Sequence, residues 1–98
     1  MNTIDIVIPT MWCDENFIEY LEKYSSYTNV NQIYLIDNQK QKRPNTEILN
    51  HSKIKIVCHS KNIYVNPAWN EGYYHSSADM ICLLNDDVFV EEELFDYV

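Results

Sequence analysis

Four short apolar runs, each closed by a polar turn, set the rhythm of this chain: Ile4-Asp5-Ile6-Val7-Ile8, Ile33-Tyr34-Leu35-Ile36, Ile54-Lys55-Ile56-Val57-Cys58 and Met80-Ile81-Cys82-Leu83-Leu84. Their length and composition predict strands, and the last, apolar without alternation, predicts a strand covered on both faces. Between the first two, Phe17, Ile18, Leu21 and Tyr24 recur at helical spacing, which predicts an amphipathic helix over 16–27 with Asp14 as its N-cap. A polar loop over 38–45 and a short helical segment over 46–51 separate the second and third strands. Asn66-Pro67 sets a capping residue before a proline at the first helical position, so the third connection is a helix from Pro67 to about Ser77, with Trp69 and Tyr73 on one face. Glu91-Glu92-Glu93 suits the start of one more helix, where the macrodipole favours negative charge.

Strands alternating with helices imply right-handed β-α-β crossovers and a parallel sheet, here with the first strand inside and the order 3-2-1-4. The fold class is therefore α/β, a Rossmann-like parallel sheet flanked by helices. At 98 residues the expectation is one domain over 1–98 with a modest core.

Charge narrows the partners. A formal net charge of -8 argues against nucleic acid, which needs a basic face. No apolar run approaches the ~18 residues of a membrane segment. Met1 to Asp5 lacks the charged and apolar regions of a signal peptide, so a soluble cytoplasmic protein is expected. Cys13, Cys58 and Cys82 have no short paired spacing and read as reduced core thiols. His51, His59 and His75 share no metal-ligand spacing.

The candidate chemistry gathers where strands end: Pro9-Thr10, Asp37-Asn38, His59-Ser60 and Asn85-Asp86-Asp87. In a parallel sheet these groups share one rim, the edge beyond which open α/β sheets bind ligands. The single glycine, Gly72, rules out both a dinucleotide fingerprint and a Walker phosphate loop, which need several. Phosphate recognition would then run through a cation, and magnesium or manganese is commonly held by one or two carboxylates plus phosphate oxygens. Asp86-Asp87 also has a plainer reading as a turn cap, Asp37 as a turn residue, and Trp69, Tyr73 and Tyr74 as helix–sheet contacts.

Ile4 to Thr10 ending in Pro-Thr, Ile33 to Asn38 ending in Asp-Asn, Asn66-Pro67-Ala68-Trp69-Asn70-Glu71-Gly72 and Leu83-Leu84-Asn85-Asp86-Asp87 together resemble the donor half of a family 2-type glycosyltransferase of the GT-A fold. The resemblance implies a metal-dependent enzyme that takes a UDP- or GDP-sugar donor and transfers or hydrolyses the sugar, with an acceptor the sequence does not disclose. The family's D-x-D motif falls on Asn85-Asp86-Asp87: Asp87 would ligate Mn2+ or Mg2+ and stabilise the leaving group, while Asn85 and Asp86 would contact ribose or sugar hydroxyls. By the same resemblance Asp37 lies near the nucleotide base, with Pro9 and Thr10 beside it, and Asn70 and Gly72 form an N-x-G element near the phosphates.

The chain departs from that pattern in three places. Gln39-Lys40-Gln41-Lys42-Arg43 follows Asp37-Asn38 where the family has small residues, and Trp69 precedes Asn70 where it commonly has Arg. Lys40, Lys42 and Arg43 read either as a substitute phosphate contact or as a solvated loop. The resemblance also covers only about the first half of the family's catalytic domain, so the general base is expected from outside these residues. A sugar-nucleotide-binding or assembly module without transfer is therefore the alternative, and a homo-oligomer is the expectation for an exposed sheet edge. A receiver-like acidic pocket fits less well, because that fold wants its acidic pair where this chain has Pro9-Thr10.

Overall fold

The structure is a computed structural model that describes residues 3–58, 67, 69–70, 76 and 78–97. Strands β1 (Ile4–Thr10), β2 (Val30–Asp37), β3 (Ile54–Cys58) and β4 (Met80–Leu83) form one sheet in the order β3-β2-β1-β4, with every neighbouring pair parallel. This is the α/β architecture and the strand order that the sequence predicts.

β1 is central, and all seven of its residues are buried. Alternation along the strands separates two packed faces. Ile4, Ile6 and Ile8 join Ile33 and Leu35 beneath Phe17, Leu21 and Tyr24 of helix α1 (Phe17–Ser26), while Val7 and Ile36 pack with Tyr34, Val57, Trp69 and Ile81 on the other side. The apolar stripe at i, i+4 and i+7 is what makes α1 a sheet-covering helix. Full burial of Leu21 alone contributes about 1.5–3 kcal/mol.

Asp14 does not cap this helix. Asn16 occupies the N-cap without a side-chain capping bond, and the Asp14 carboxylate instead accepts the Asn16 N–H at 2.8 Å, turning the chain just before the helix. At the other end Tyr27 leaves the helix in extended conformation, its N–H still bonded to the Tyr24 carbonyl.

An acidic residue inside the first apolar run has a structural explanation. Asp5 is fully buried, and its Oδ1 accepts the Gln32 N–H at 3.0 Å and the Asn31 amide at 3.2 Å, while Oδ2 accepts the Ser76 hydroxyl at 2.6 Å. The β1–β2 register shifts between Ile4 and Asp5, so Asn31 is the extra residue of a bulge. The Asp5 side chain satisfies the backbone N–H that the bulge displaces from the ladder.

Other expectations change. β4 ends at Leu83 and lies at the edge of the sheet among the described residues, with Met80 and Leu83 38% and 47% exposed, so it is not covered on both faces. Leu84 lies beyond the strand, although its N–H still bonds the Val7 carbonyl at 3.0 Å. Cys13 and Cys58 are exposed rather than core thiols; Cys82 is half-buried, and its thiol is pushed up by burial. The 46–51 segment is a single 3-10 turn, Glu47–Asn50, and the acidic segment is a 3-10 helix, Glu92–Tyr97, rather than an α-helix. Pro67, Trp69 and Asn70 are helical as predicted, but Ser76, inside the predicted span, is not; Asn66, Gly72, Tyr73, Tyr74, His75 and Ser77 lie outside the described residues.

Candidate functional site

Pairing fixes what meets at the carboxyl rim. Thr10 is the last residue of β1 and stands in register with Asp37, the last of β2, which stands in register with Cys58, the last of β3. One network of hydrogen bonds runs through them. The Thr10 hydroxyl donates to Asp86 Oδ2 at 2.8 Å and accepts the Trp12 N–H at 2.9 Å. The Trp12 indole Nε1 donates to Asp37 Oδ1 at 2.9 Å, and Arg43 Nε donates to Asp37 Oδ2 at 2.7 Å. Arg43 Nη2 reaches Cys58 Sγ at 2.6 Å. The sequence-predicted residues Thr10, Asp37 and Asp86 thus belong to one connected rim.

Asp37 is fully buried, and it is well supplied with donors. Besides Trp12 and Arg43 it accepts the Gln39 N–H at 3.0 Å, so among the described residues three donors serve it. The bond to Asp37 raises the Arg43 guanidinium further above its already high ordinary value. Arg43 therefore stays charged, and the buried Asp37 carboxylate is paired rather than isolated.

Trp12 adopts φ 60°, the left-handed region that costs a bulky residue roughly 1–2 kcal/mol. Its two hydrogen bonds and the packing of its ring against Phe17, with centroids 5.9 Å apart, hold it there. This turn brings the indole back over the sheet end.

The acidic turn is fixed from both sides. Leu84 ties its start to β1, and the Val88 N–H bonds the Asn85 carbonyl at 3.4 Å. Beyond it the Tyr24 hydroxyl donates to the Val88 carbonyl and accepts the Val90 N–H, both at 3.1 Å, while the Tyr27 hydroxyl donates to the Val90 carbonyl at 2.8 Å. Phe89 stacks on Tyr24 with centroids 5.7 Å apart. Helix α1 therefore holds the segment that carries Asn85, Asp86 and Asp87. Burial pushes the Tyr24 phenol up to about 12.

Asn85 and Asp87 are exposed, and Asp86 is half-buried with one oxygen taken by Thr10. Among the described residues no group of three or more His, Cys, Asp or Glu side chains is arranged to hold a metal. Carboxylate and amide oxygens are nevertheless the donors that magnesium and manganese accept, and an exposed Asp87 suits a cation whose remaining ligands come from phosphate and water. The residues fit such an ion in kind.

Pro9 is buried in β1 behind this rim. Asn70 lines a groove of about 560 Å3 together with Trp69, Ser76, Met80, Ile81 and Leu83, and the Trp69 indole donates to the Leu84 carbonyl at 3.4 Å. That volume is in the range of small-molecule sites, but the groove is not lined by Thr10, Asp37, Asp86 or Asp87. We place the candidate chemistry at the rim, where the polar side chains converge. Gly72 and His59 lie outside the described residues.

Trp12 and Tyr27 escaped the sequence reading, and Tyr24 was read only as part of the helix stripe, because each is an aromatic in or near an apolar pattern, where packing is the expected role. Arg43 was legible only as part of a charged run. No protein-family model matches the chain, and no curated protein matches it. No helix among the described residues is long and apolar enough to cross a membrane.

Proposed function

We propose that the carboxyl rim binds the diphosphate of a nucleotide-sugar donor through a divalent cation, and that the chain is the donor-binding part of a glycosyltransferase. The observation that supports this reading most is the Thr10–Asp86 hydrogen bond, which draws the acidic turn onto the end of the central strand beside Asp37. Asp87 would hold Mn2+ or Mg2+, with Asn85 turned to a ribose or sugar hydroxyl, and the ion would neutralise charge on the departing diphosphate. Thr10 orients Asp86 and leaves its second oxygen for a ribose or sugar hydroxyl. Asp37, held by Trp12, Gln39 and Arg43, would mark the end of the rim that takes the base. In transfer, an acceptor oxygen bonds to the anomeric carbon as the bond to the diphosphate oxygen breaks. The electron pair leaves with the diphosphate, and the acceptor's proton passes to a base outside the assigned residues.

A second reading, binding without transfer, is favoured by one observation: the buried Asp37 carboxylate is engaged by three donors and is not arranged as a base. Thermal unfolding with UDP- and GDP-sugars, with and without Mn2+, tests both. At a hundredfold excess over Kd a bound donor adds about 2.7 kcal/mol, a rise on the order of 10 °C in Tm for a domain of this size. Release of nucleoside diphosphate separates transfer or hydrolysis from binding alone. No rise with any donor overturns both readings.

A further inference from the structure

Three of the chain's seven Lys and Arg residues, Lys40, Lys42 and Arg43, fall within four positions, in a chain whose net charge is -8. The structure puts them at the rim rather than on a free excursion. Gln39 N–H and Arg43 Nε both bond Asp37, Arg43 Nη2 reaches Cys58, and the 3-10 turn Lys40–Lys42 closes between these anchors through Lys42 N–H to the Gln39 carbonyl and Arg43 N–H to the Lys40 carbonyl. A solvated loop needs no such double tether. Asp37 offsets the charge of Arg43, and Lys40 and Lys42 remain exposed, their charges unmatched by any ion pair within the described residues.

Opposite charges therefore occupy two ends of one rim. Asp86 and Asp87 follow β4, the basic turn follows β2, and β1 with Thr10 runs between them. Two strand spacings separate β2 from β4, roughly 10 Å. An anion approaching the acidic end alone is repelled; the basic turn supplies the compensating field over a distance comparable with the Debye length.

We propose that the Lys40–Arg43 turn is an anion subsite of the rim, binding a pyrophosphate group chiefly through Lys40 and Lys42, with Arg43 anchoring the turn. The inference deepens the proposed function, resting on it for the source of the anion, a nucleoside diphosphate, but not for the subsite itself.

The test is an NMR titration of the full chain with inorganic pyrophosphate, free of divalent cations, followed by the same titration of the K40Q/K42Q variant and of D87N. Wild type should show saturable shifts centred on the amides of 39–43, weakening as salt rises from 50 to 200 mM. The lysine variant should bind about tenfold more weakly, equivalent to about 1.4 kcal/mol, while D87N binds as wild type does. Unchanged affinity in K40Q/K42Q, shifts centred elsewhere, or no binding overturns the inference. Lysine-dependent pyrophosphate binding without any response to sugar nucleotides plus Mn2+ upholds the subsite and overturns the glycosyltransferase reading. Sugar-nucleotide binding that K40Q/K42Q leaves untouched does the reverse.

Discussion

The Thr10 hydroxyl and Asp86 Oδ2 stand 2.8 Å apart although 76 positions separate them in sequence, and this bond fixes the acidic turn to the central strand. Thr10→Val removes the hydroxyl while keeping the β-branched shape, and it also deprives the Trp12 N–H of its acceptor. A loss of about 1–2 kcal/mol is expected, equivalent to roughly 5–10 °C in Tm by calorimetry. Thr10→Ser should recover most of it. A valine variant that melts with wild type would show that the rim does not depend on this bond.

Arg43 and Asp37 make the next prediction. Lysine keeps the charge of Arg43 but not the fork that serves Asp37 and Cys58 at once. Arg43→Lys should cost about 1–3 kcal/mol in urea unfolding, because a buried carboxylate loses a charged donor. Arg43→Met should cost more, and equal stability of all three proteins would remove Asp37 from the account of the fold.

Alkaline pH should expose the Tyr24 clamp. Its phenol is raised from 10.0 to about 12, chiefly by burial, so the folded state holds the proton more tightly than the unfolded chain. The stability this contributes is complete below pH 10 and is lost as pH rises towards 12. Tyr27 and Tyr34 shift in the same direction, also mainly through burial. Tyr24→Phe should therefore flatten, without abolishing, the fall in stability over that window, as followed by unfolding at stepped pH. It should also be less stable than wild type at neutral pH, having released Val88 and Val90.

How much of this was visible beforehand depends on the range of the interaction. Strand order followed from alternation of apolar runs and helical spacing, and the rim followed from what ends each strand. Asp5 could not be understood locally, since its burial makes sense only once Asn31 bulges and Ser76 arrives from across the chain. The edge position of β4 was equally hidden: Met80 to Leu84 is apolar, but coverage depends on what lies beside a strand and not on the strand itself. Trp12 in the left-handed region runs against its local preference, which is why a tertiary network has to hold it there.

Asp87→Asn should remove the cation-dependent part of any donor-induced rise in Tm while leaving the basal Tm within about 2 °C, because an exposed side chain contributes little to folding. A variant that still responds to Mn2+ plus donor as wild type does would take Asp87 out of the site.

The most direct measurement is paramagnetic broadening of backbone amide signals by substoichiometric Mn2+ in the presence of a UDP- or GDP-sugar. The account predicts loss of signal centred on Asn85, Asp86 and Asp87, spreading to Thr10 and then Asp37, and dependent on the sugar nucleotide. Broadening centred instead on Glu91 to Glu93, or identical with and without the donor, would contradict it.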